Sequence, residues 1–371
     1  MTSRERVRCA LAHERPDRVP VDFGGIVTSF TYGAYNRFVR HFKIADPKAS
    51  IGGFKVMVNT DEEILEMLGA DFRNIYFAPT GPKWQTKVNP DGSTTDIWGI
   101  RSIDVGDYYE MREHPLRNAT VADLDRFPWP DFTDTSAYEG LREKAEYLHR
   151  NTPYALVGTS AVNILERSQW MRGISEFLVD MMVNEEFAVA LMDRMLELFK
   201  QFADRYLSAV GPYIDVFCMG DDLASQGELL MSPELYRRLV KPRHAEAYAS
   251  IKQRTKAKIF HHSCGAVYPL VGDLVEIGLD ILNPVQPRAK GMDRERLKRE
   301  FGDRLCFWGG VDIQHVLPRG TPEEIRAEVR EAVRTLGKNG GLILGPAHNV
   351  QSDVPPENLL LMVRAAAEES A

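Results

Sequence analysis

The stretch Ile259-Phe260-His261-His262-Ser263-Cys264-Gly265 joins a short apolar run to side chains that bind metals. His262 and Cys264 are two apart, so on an extended backbone they project from the same side. An imidazole nitrogen and a thiol sulfur placed together, where a strand breaks into a glycine-containing turn, suit a borderline-soft ion, with zinc the default. Without a third ligand the same residues read as a buried cysteine beside a hydrogen-bonded histidine. A second constellation is the acid pair Asp221-Asp222, also behind an apolar run. One carboxyl held protonated by its neighbour would serve as acid or base. The same pair reads equally as a loop cap at Asp222 and a salt bridge at Asp221.

Regular elements must carry these groups. Residues 4–12 have helical spacing, with Thr2 or Ser3 as N-cap and Pro16 beyond the end. Apolar runs of strand length occur at 18–23, 71–77, 154–158, 213–219, 257–260, 279–282, 305–308 and 341–344. Helical patterns separate the later runs, at 174–180, 187–207, 233–252, 267–277, 294–301 and 322–336. Eight strands in alternation with helices are what a (β/α)8 TIM barrel requires. A doubly wound open sheet competes, but the chain has no G-x-G-x-x-G or Walker loop to anchor one. Residues 83–104 break the rhythm: alternating patches around the turn Asn89-Pro90-Asp91-Gly92 predict a β-hairpin insertion. The chain is read as a single barrel domain, 1–371, with an N-terminal helical extension.

In such a barrel, functional groups sit just past the C-terminal ends of the strands. The polar residues gather there, whereas the opposite loops, such as Gly337-Lys338-Asn339, look like plain turns. His348 follows the eighth strand and the Cys264 loop follows the fifth, and around a closed barrel two such loops reach a common point. A His262/Cys264/His348 set with an open fourth position has the form of a catalytic rather than a structural zinc. A loop histidine bonded to backbone is the other reading of His348. Gln226, Gln286 and Asp312 are candidates to orient substrate, and Phe23, Tyr76 and Trp308 to wall the pocket. Asp312 also suits an N-cap, and the three aromatics also suit ordinary core packing. Arg172, at a helix turn, is a candidate to bind an anion.

The 371 residues carry 46 Lys+Arg against 53 Asp+Glu, a formal charge of −7 with the signs interspersed, which argues against a nucleic-acid surface. No uncharged apolar stretch approaches bilayer length, and residues 1–7 lack the apolar core of a signal peptide. Four scattered cysteines in a chain too large to need staples suit a reducing compartment, so the cytoplasm is expected. Cys9, Cys218 and Cys306 read as core.

Several stretches, in order and across nearly the whole chain, resemble a known family. They are Arg4-Glu5-Arg6-Val7 through Pro16-Asp17-Arg18-Val19-Pro20, Gly220-Asp221-Asp222 with Met231-Ser232-Pro233, His262-Ser263-Cys264-Gly265, Pro284-Val285-Gln286, Gly309-Gly310-Val311-Asp312 and Thr321-Pro322-Glu323-Glu324. The chain resembles the uroporphyrinogen decarboxylase superfamily, specifically its methyltransferase-like branch. The resemblance implies a (β/α)8 barrel with its site at the C-terminal mouth. Decarboxylases proper carry an arginine-rich stretch after the first strand that grips the substrate's propionates. Here that region, Asp22-Phe23-Gly24-Gly25-Ile26-Val27-Thr28-Ser29, has no arginine, so a tetrapyrrole with many carboxylates would lack its counter-charges.

Members of the methyltransferase branch move a methyl group between a small donor or thiol acceptor and a corrinoid carried on a partner protein. They use zinc held by the H-x-C pair and a later cysteine. His262 and Cys264 match the pair, while the later cysteine falls on His348, between Gly345-Pro346-Ala347 and Pro355-Pro356-Glu357-Asn358. One thiolate with two imidazoles leaves a net +1 zinc centre, a stronger Lewis acid than the neutral site of two thiolates and one imidazole. The expectation is therefore a demethylase that polarises the oxygen or nitrogen of a methylated substrate and feeds a corrinoid partner. Two alternatives remain open at this point. One is a metal-independent decarboxylase using Asp221 or Asp222 on a different acid, and the other is a non-catalytic ligand- or corrinoid-binding barrel.

Overall fold

The computed structural model describes residues 1–52 and 55–369. Its strands, in chain order, are β1 (Ser50–Ile51), β2 (Met57–Val58), β3 (Phe72–Ile75), β4 (Lys87–Val88), β5 (Thr94–Thr95), β6 (Arg101–Asp104), β7 (Tyr109–Glu113), β8 (Ala155–Thr159), β9 (Val216–Gly220), β10 (Lys258–His262), β11 (Ile281–Val285), β12 (Cys306–Val311) and β13 (Leu342–Pro346). Seven of them form one curled parallel sheet in the order β13-β12-β11-β10-β9-β8-β3. The segment 20–22 joins its two edges. The Asp22 N–H donates to the Leu344 carbonyl (2.9 Å), the Leu344 N–H to that of Pro20 (2.8 Å), and the Asp71 N–H to that of Val21 (2.9 Å). The architecture is the expected (β/α)8 barrel. Its expected first strand, 18–23, is a single bridging residue pair, Val21 with Leu344, because Pro20 offers no ladder donor.

Side chains alternate across the strands as a closed barrel requires. Phe72, Val157, Cys218, Phe260, Trp308 and Ile343 belong to a buried cluster inside the ring, capped below by Val7 and Leu11 of the helix Ser3–Leu11. Their sequence neighbours Leu156, Phe217, Ile259, Phe307 and Leu344 pack into the larger cluster shared with the helices. Trp308 fills the ring centre against Phe72 and Phe260, with centroids at 4.5 and 5.0 Å. Its buried indole N–H donates to Asp22 Oδ2 at 3.1 Å.

Several element boundaries differ from the sequence expectation. β10 to β13 run two or three residues further at their C-terminal ends, because glycines and polar residues that read as loop stay in the ladder and face the barrel mouth. The helix expected at 233–252 is interrupted by a wide turn, Tyr236–Val240, since Pro242 lacks the N–H that an unbroken helix needs. The insertion is a four-stranded antiparallel sheet, β4-β5-β6-β7, reaching Glu113 rather than ending at 104. It is tied to the mouth by Asp107, which accepts from the Ser352 N–H (3.0 Å) and hydroxyl (2.5 Å). No described helix is long and apolar enough to cross a membrane.

Asp71 fastens the seam. Its fully buried carboxylate accepts from Arg6 Nη1 (2.7 Å), Arg18 Nη1 (2.8 Å) and the Val21 N–H (2.9 Å). It thereby joins the N-terminal helix, the bridging segment and β3. Truncating one partner of a buried ion pair costs about 3–5 kcal/mol. Asp71→Ala is expected to lose at least about 3 kcal/mol in urea denaturation; a loss below about 1 kcal/mol would show that the seam does not depend on this carboxylate.

Candidate metal centre

Register places the first ligand. In β10, Phe260 faces the ring interior, so His262 also faces inward, whereas His261 points to the helix layer and meets the Tyr248 hydroxyl at 2.8 Å. His262 pairs with Gly220 of β9 and Asn283 of β11. A Cβ at Gly220 would lie 2.7 Å from His262 Cβ, so only glycine leaves room for the imidazole. Asn283 Oδ1 lies 2.6 Å from His262 Nδ1, and Asn283 Nδ2 donates to the Trp308 carbonyl at 3.3 Å, which fixes the amide's orientation. His262 Nδ1 therefore carries the proton and Nε2 offers its lone pair. That nitrogen is 3.2 Å from Cys264 Sγ.

The turn after β10 is held from several sides. The Cys264 N–H donates to Asp222 Oδ1 (2.7 Å) and the Gly265 N–H to Gln286 Oε1 (2.8 Å). Gly265 has φ +85°, and a Cβ there would meet the Ser225 carbonyl oxygen at 2.2 Å. The glycine of the H-x-C-G element is thus a steric requirement of the turn.

His348, on the loop after β13, completes the set: one ligand atom each from His262, Cys264 and His348 lie within 4.8 Å of one another. Ligands on a tetrahedral zinc are roughly 3.5 Å apart, close to the His262–Cys264 spacing. Burial, then Asp222 and Glu166, push the Cys264 thiol well above its ordinary range. Burial, then His262, lower His348 to about 3, so its imidazole is neutral. A buried thiol releases its proton when a divalent cation binds. The donor set fits such an ion.

These residues open into a cavity of about 400 Å³ lined by Val27, Tyr108, Thr159, Asn163, Glu166, Arg167, Trp170, Cys218, Asp222, His262 and His348, among others. A wider depression of about 810 Å³ lies at the opposite end of the strands, by Arg8, Asp215 and Lys258. It holds none of the three ligands, and barrel sites belong at the C-terminal end.

The acid pair divides. Asp222 lines the cavity. Asp221 is fully buried outside its wall, accepting from the N–H groups of Glu166 (2.7 Å) and Ile164 (3.2 Å), with His244 Nε2 at 2.9 Å. It anchors the start of the helix Leu165–Arg172. The six candidates for substrate contact lie outside the wall, because other groups use them. Gln286 takes the Gly265 N–H, and Gln226 donates to Gln286 (2.7 Å). Asp312 accepts from Arg288 Nε (2.5 Å) and the Gln314 N–H (2.8 Å). Phe23 and Trp308 are core, and the Tyr76 hydroxyl donates to the Gly24 carbonyl at 2.6 Å.

The cavity wall instead draws on Asn163, Glu166, Arg167 and Trp170 after β8, and on Tyr108 from the insertion. Polar residues at i, i+3 and i+4 behind a barrel strand were a legible signal for the first three. Nothing local marks Tyr108. Asn163 Nδ2 donates to Glu166 Oε2 at 2.7 Å. Burial, then Asp222 and Asp221, raise the Glu166 carboxyl well above the usual range.

Fold and site together define a (β/α)8 barrel with a His-Cys-His cluster at its mouth. Residues 113–369 match the family model described as uroporphyrinogen decarboxylase (URO-D), and the chain belongs to that family. A uroporphyrinogen decarboxylase of Chlorobium luteolum is 25% identical over 270 residues, 69% of this chain and 71% of that one. A methylated-thiol–coenzyme M methyltransferase of Methanosarcina mazei is 27% identical over 157 residues, 41% of this chain and 38% of that one. Among solved structures, a methyltransferase from Methanosarcina mazei superposes over 100% of both chains with a TM-score of 0.67 at 21% identity, which shows the shared fold.

Partners that orient a metal-binding histidine are worth about 10–100-fold in affinity. Asn283→Ala is expected to weaken binding of added Zn²⁺, measured by competition with a chelating dye, by at least about tenfold. An unchanged affinity would mean that His262 is not a ligand.

Proposed function

We propose that the protein is a zinc-dependent methyltransferase that demethylates a small substrate and passes the methyl group to a corrinoid carried on a partner protein. The observation that carries this reading is the convergence of His262 at the end of β10, Cys264 in the turn after it and His348 in the loop after β13, with both imidazoles in the cavity wall. Zinc held by His262, Cys264 and His348 would supply a Lewis acid for the oxygen or nitrogen bearing the methyl group. A cavity of about 400 Å³ suits a small substrate. Its only arginine is Arg167, a poor match to the several carboxylates of a tetrapyrrole.

The chain's own residues divide the remaining work. Asn283 and Gly220 hold the His262 ring, and Asp222 and Gln286 hold the turn that carries Cys264. When the methyl group leaves, the substrate's oxygen or nitrogen needs a proton. Glu166 is the group placed to give it, since its surroundings keep the carboxyl protonated and it faces the cavity. Asp222 serves the backbone of Cys264.

A screen of methyl ethers, methylamines and methyl thioethers against cob(I)alamin tests the reading. Methyl transfer to cobalt is expected with an oxygen or nitrogen donor, to fall at least about a thousandfold in Cys264→Ala and about a hundredfold in Glu166→Gln. Release of carbon dioxide from an acid substrate, undiminished in Cys264→Ala, would favour a decarboxylase instead.

A further inference from the structure

Arg167 is unlike the other withdrawn arginines of this chain. Its side chain is only 13% exposed, and its guanidinium lies between two indole faces, 4.6 Å from the centroids of Trp98 and of Trp170. Its Nε is buried without a hydrogen-bond partner, and the nearest carboxylate oxygen, on Asp96, stands off at 3.9 Å from Nη1. Asp96 is occupied elsewhere, accepting through Oδ1 from the N–H groups of Trp98 and Ile100, both at 2.9 Å. Glu166, the neighbouring carboxyl, is bonded to Asn163. By contrast, Arg73 is bonded to Glu62 and two carbonyls, and Arg294 to Glu328 and the Gly310 carbonyl. Arg172, the sequence candidate for an anion, is bonded to Asp180 and the carbonyls of Leu116 and Ala119. It has no capacity left for a ligand.

A buried guanidinium Nε without an acceptor, with its nearest carboxylate oxygen as far off as 3.9 Å, destabilises the fold unless something pairs with it. Arg167 lines the same cavity as the metal ligands. Burial lowers its pKa to about 10, so it is a cation at neutral pH. With two indoles against the guanidinium, its N–H groups are what remains for a ligand, and the fork they form matches the paired oxygens of a planar acid or of a sulfonate. The wall offers a single guanidinium, which matches a single negative charge.

We propose that Arg167 is the anchor of an anion subsite and that the small methylated substrate is a monoanion bearing a carboxylate or sulfonate. The word methylated rests on the function proposed above; the anion subsite rests on Arg167 and its two tryptophans alone. The insertion takes part in substrate recognition, since Trp98 and Asp96 both come from it.

The test is a fluorescence titration of the purified protein, read through its tryptophans, at constant ionic strength. The probes are methoxyacetate, its neutral isostere methoxyacetamide, and methanesulfonate. In the wild type, methoxyacetate is expected to bind at least tenfold more tightly than methoxyacetamide, with methanesulfonate competing for the same site. Arg167→Gln is expected to erase the preference, and Arg167→Lys to keep it in weakened form. Equal binding of carboxylate and amide by the wild type, or a preference surviving in a folded Arg167→Gln, overturns the proposal. If Arg167→Gln does not fold, the wild-type pair decides together with Arg167→Lys. Zinc is measured in the same samples. Carboxylate preference without zinc would overturn the metal centre and leave the subsite standing. Zinc without preference would overturn the subsite alone.

Discussion

In a parallel barrel each strand sends alternate side chains inward, and neighbouring strands keep these in layers. Phe260 and Trp308 occupy a layer near the ring centre, which they close with apolar bulk. Two residues further along β10 the same inward direction reaches the mouth, and there the sequence supplies His262, with Gly220 and Asn283 as its register partners. Shifting β10 by one residue would turn His261 inward and send His262 to the helices. The placement of His262 beside Cys264 is therefore a consequence of the register, and the register is fixed by apolar packing below it.

Desolvation shapes what the mouth can do. Around one small cavity, burial keeps Cys264 a thiol, His348 an uncharged imidazole and Glu166 a protonated acid. In water the Glu166 carboxyl would be ionised and the His348 imidazole partly charged. The antiparallel insertion contributes Tyr108 to the cavity wall, and Asp107 fastens it to the loop after β13 at Ser352. Insertion and His348 loop are thus mechanically joined.

The sequence showed the barrel, the insertion and the three side chains that converge at the mouth, because each leaves a local mark: eight apolar runs between helical patterns, a turn sequence, and ligand-type side chains behind strands. It did not show which polar residues at the mouth are already committed. Asp221, Gln286 and Asp312 sit at strand ends as candidate site residues do, yet their hydrogen bonds go to backbone or arginine groups brought close only by folding. Tyr108 and Trp98 come from an insertion whose seat over the mouth is not encoded by any spacing. Glu166 and Arg167 were within reach of a reading that followed the chain past Ser160 into the next helix. Strand ends were misjudged for a related reason: glycine and asparagine read as loop, whereas in β11 and β12 they complete the ladder at the mouth.

X-ray absorption at the zinc edge, on protein purified and supplied with zinc, tests the central claim most directly. The account predicts one zinc per chain in a shell of one sulfur and two imidazole nitrogens, completed by a lighter oxygen or nitrogen ligand, with the sulfur lost in Cys264→Ser and one imidazole lost in His348→Ala. A protein that retains no zinc, or a shell unchanged by both substitutions, would contradict it.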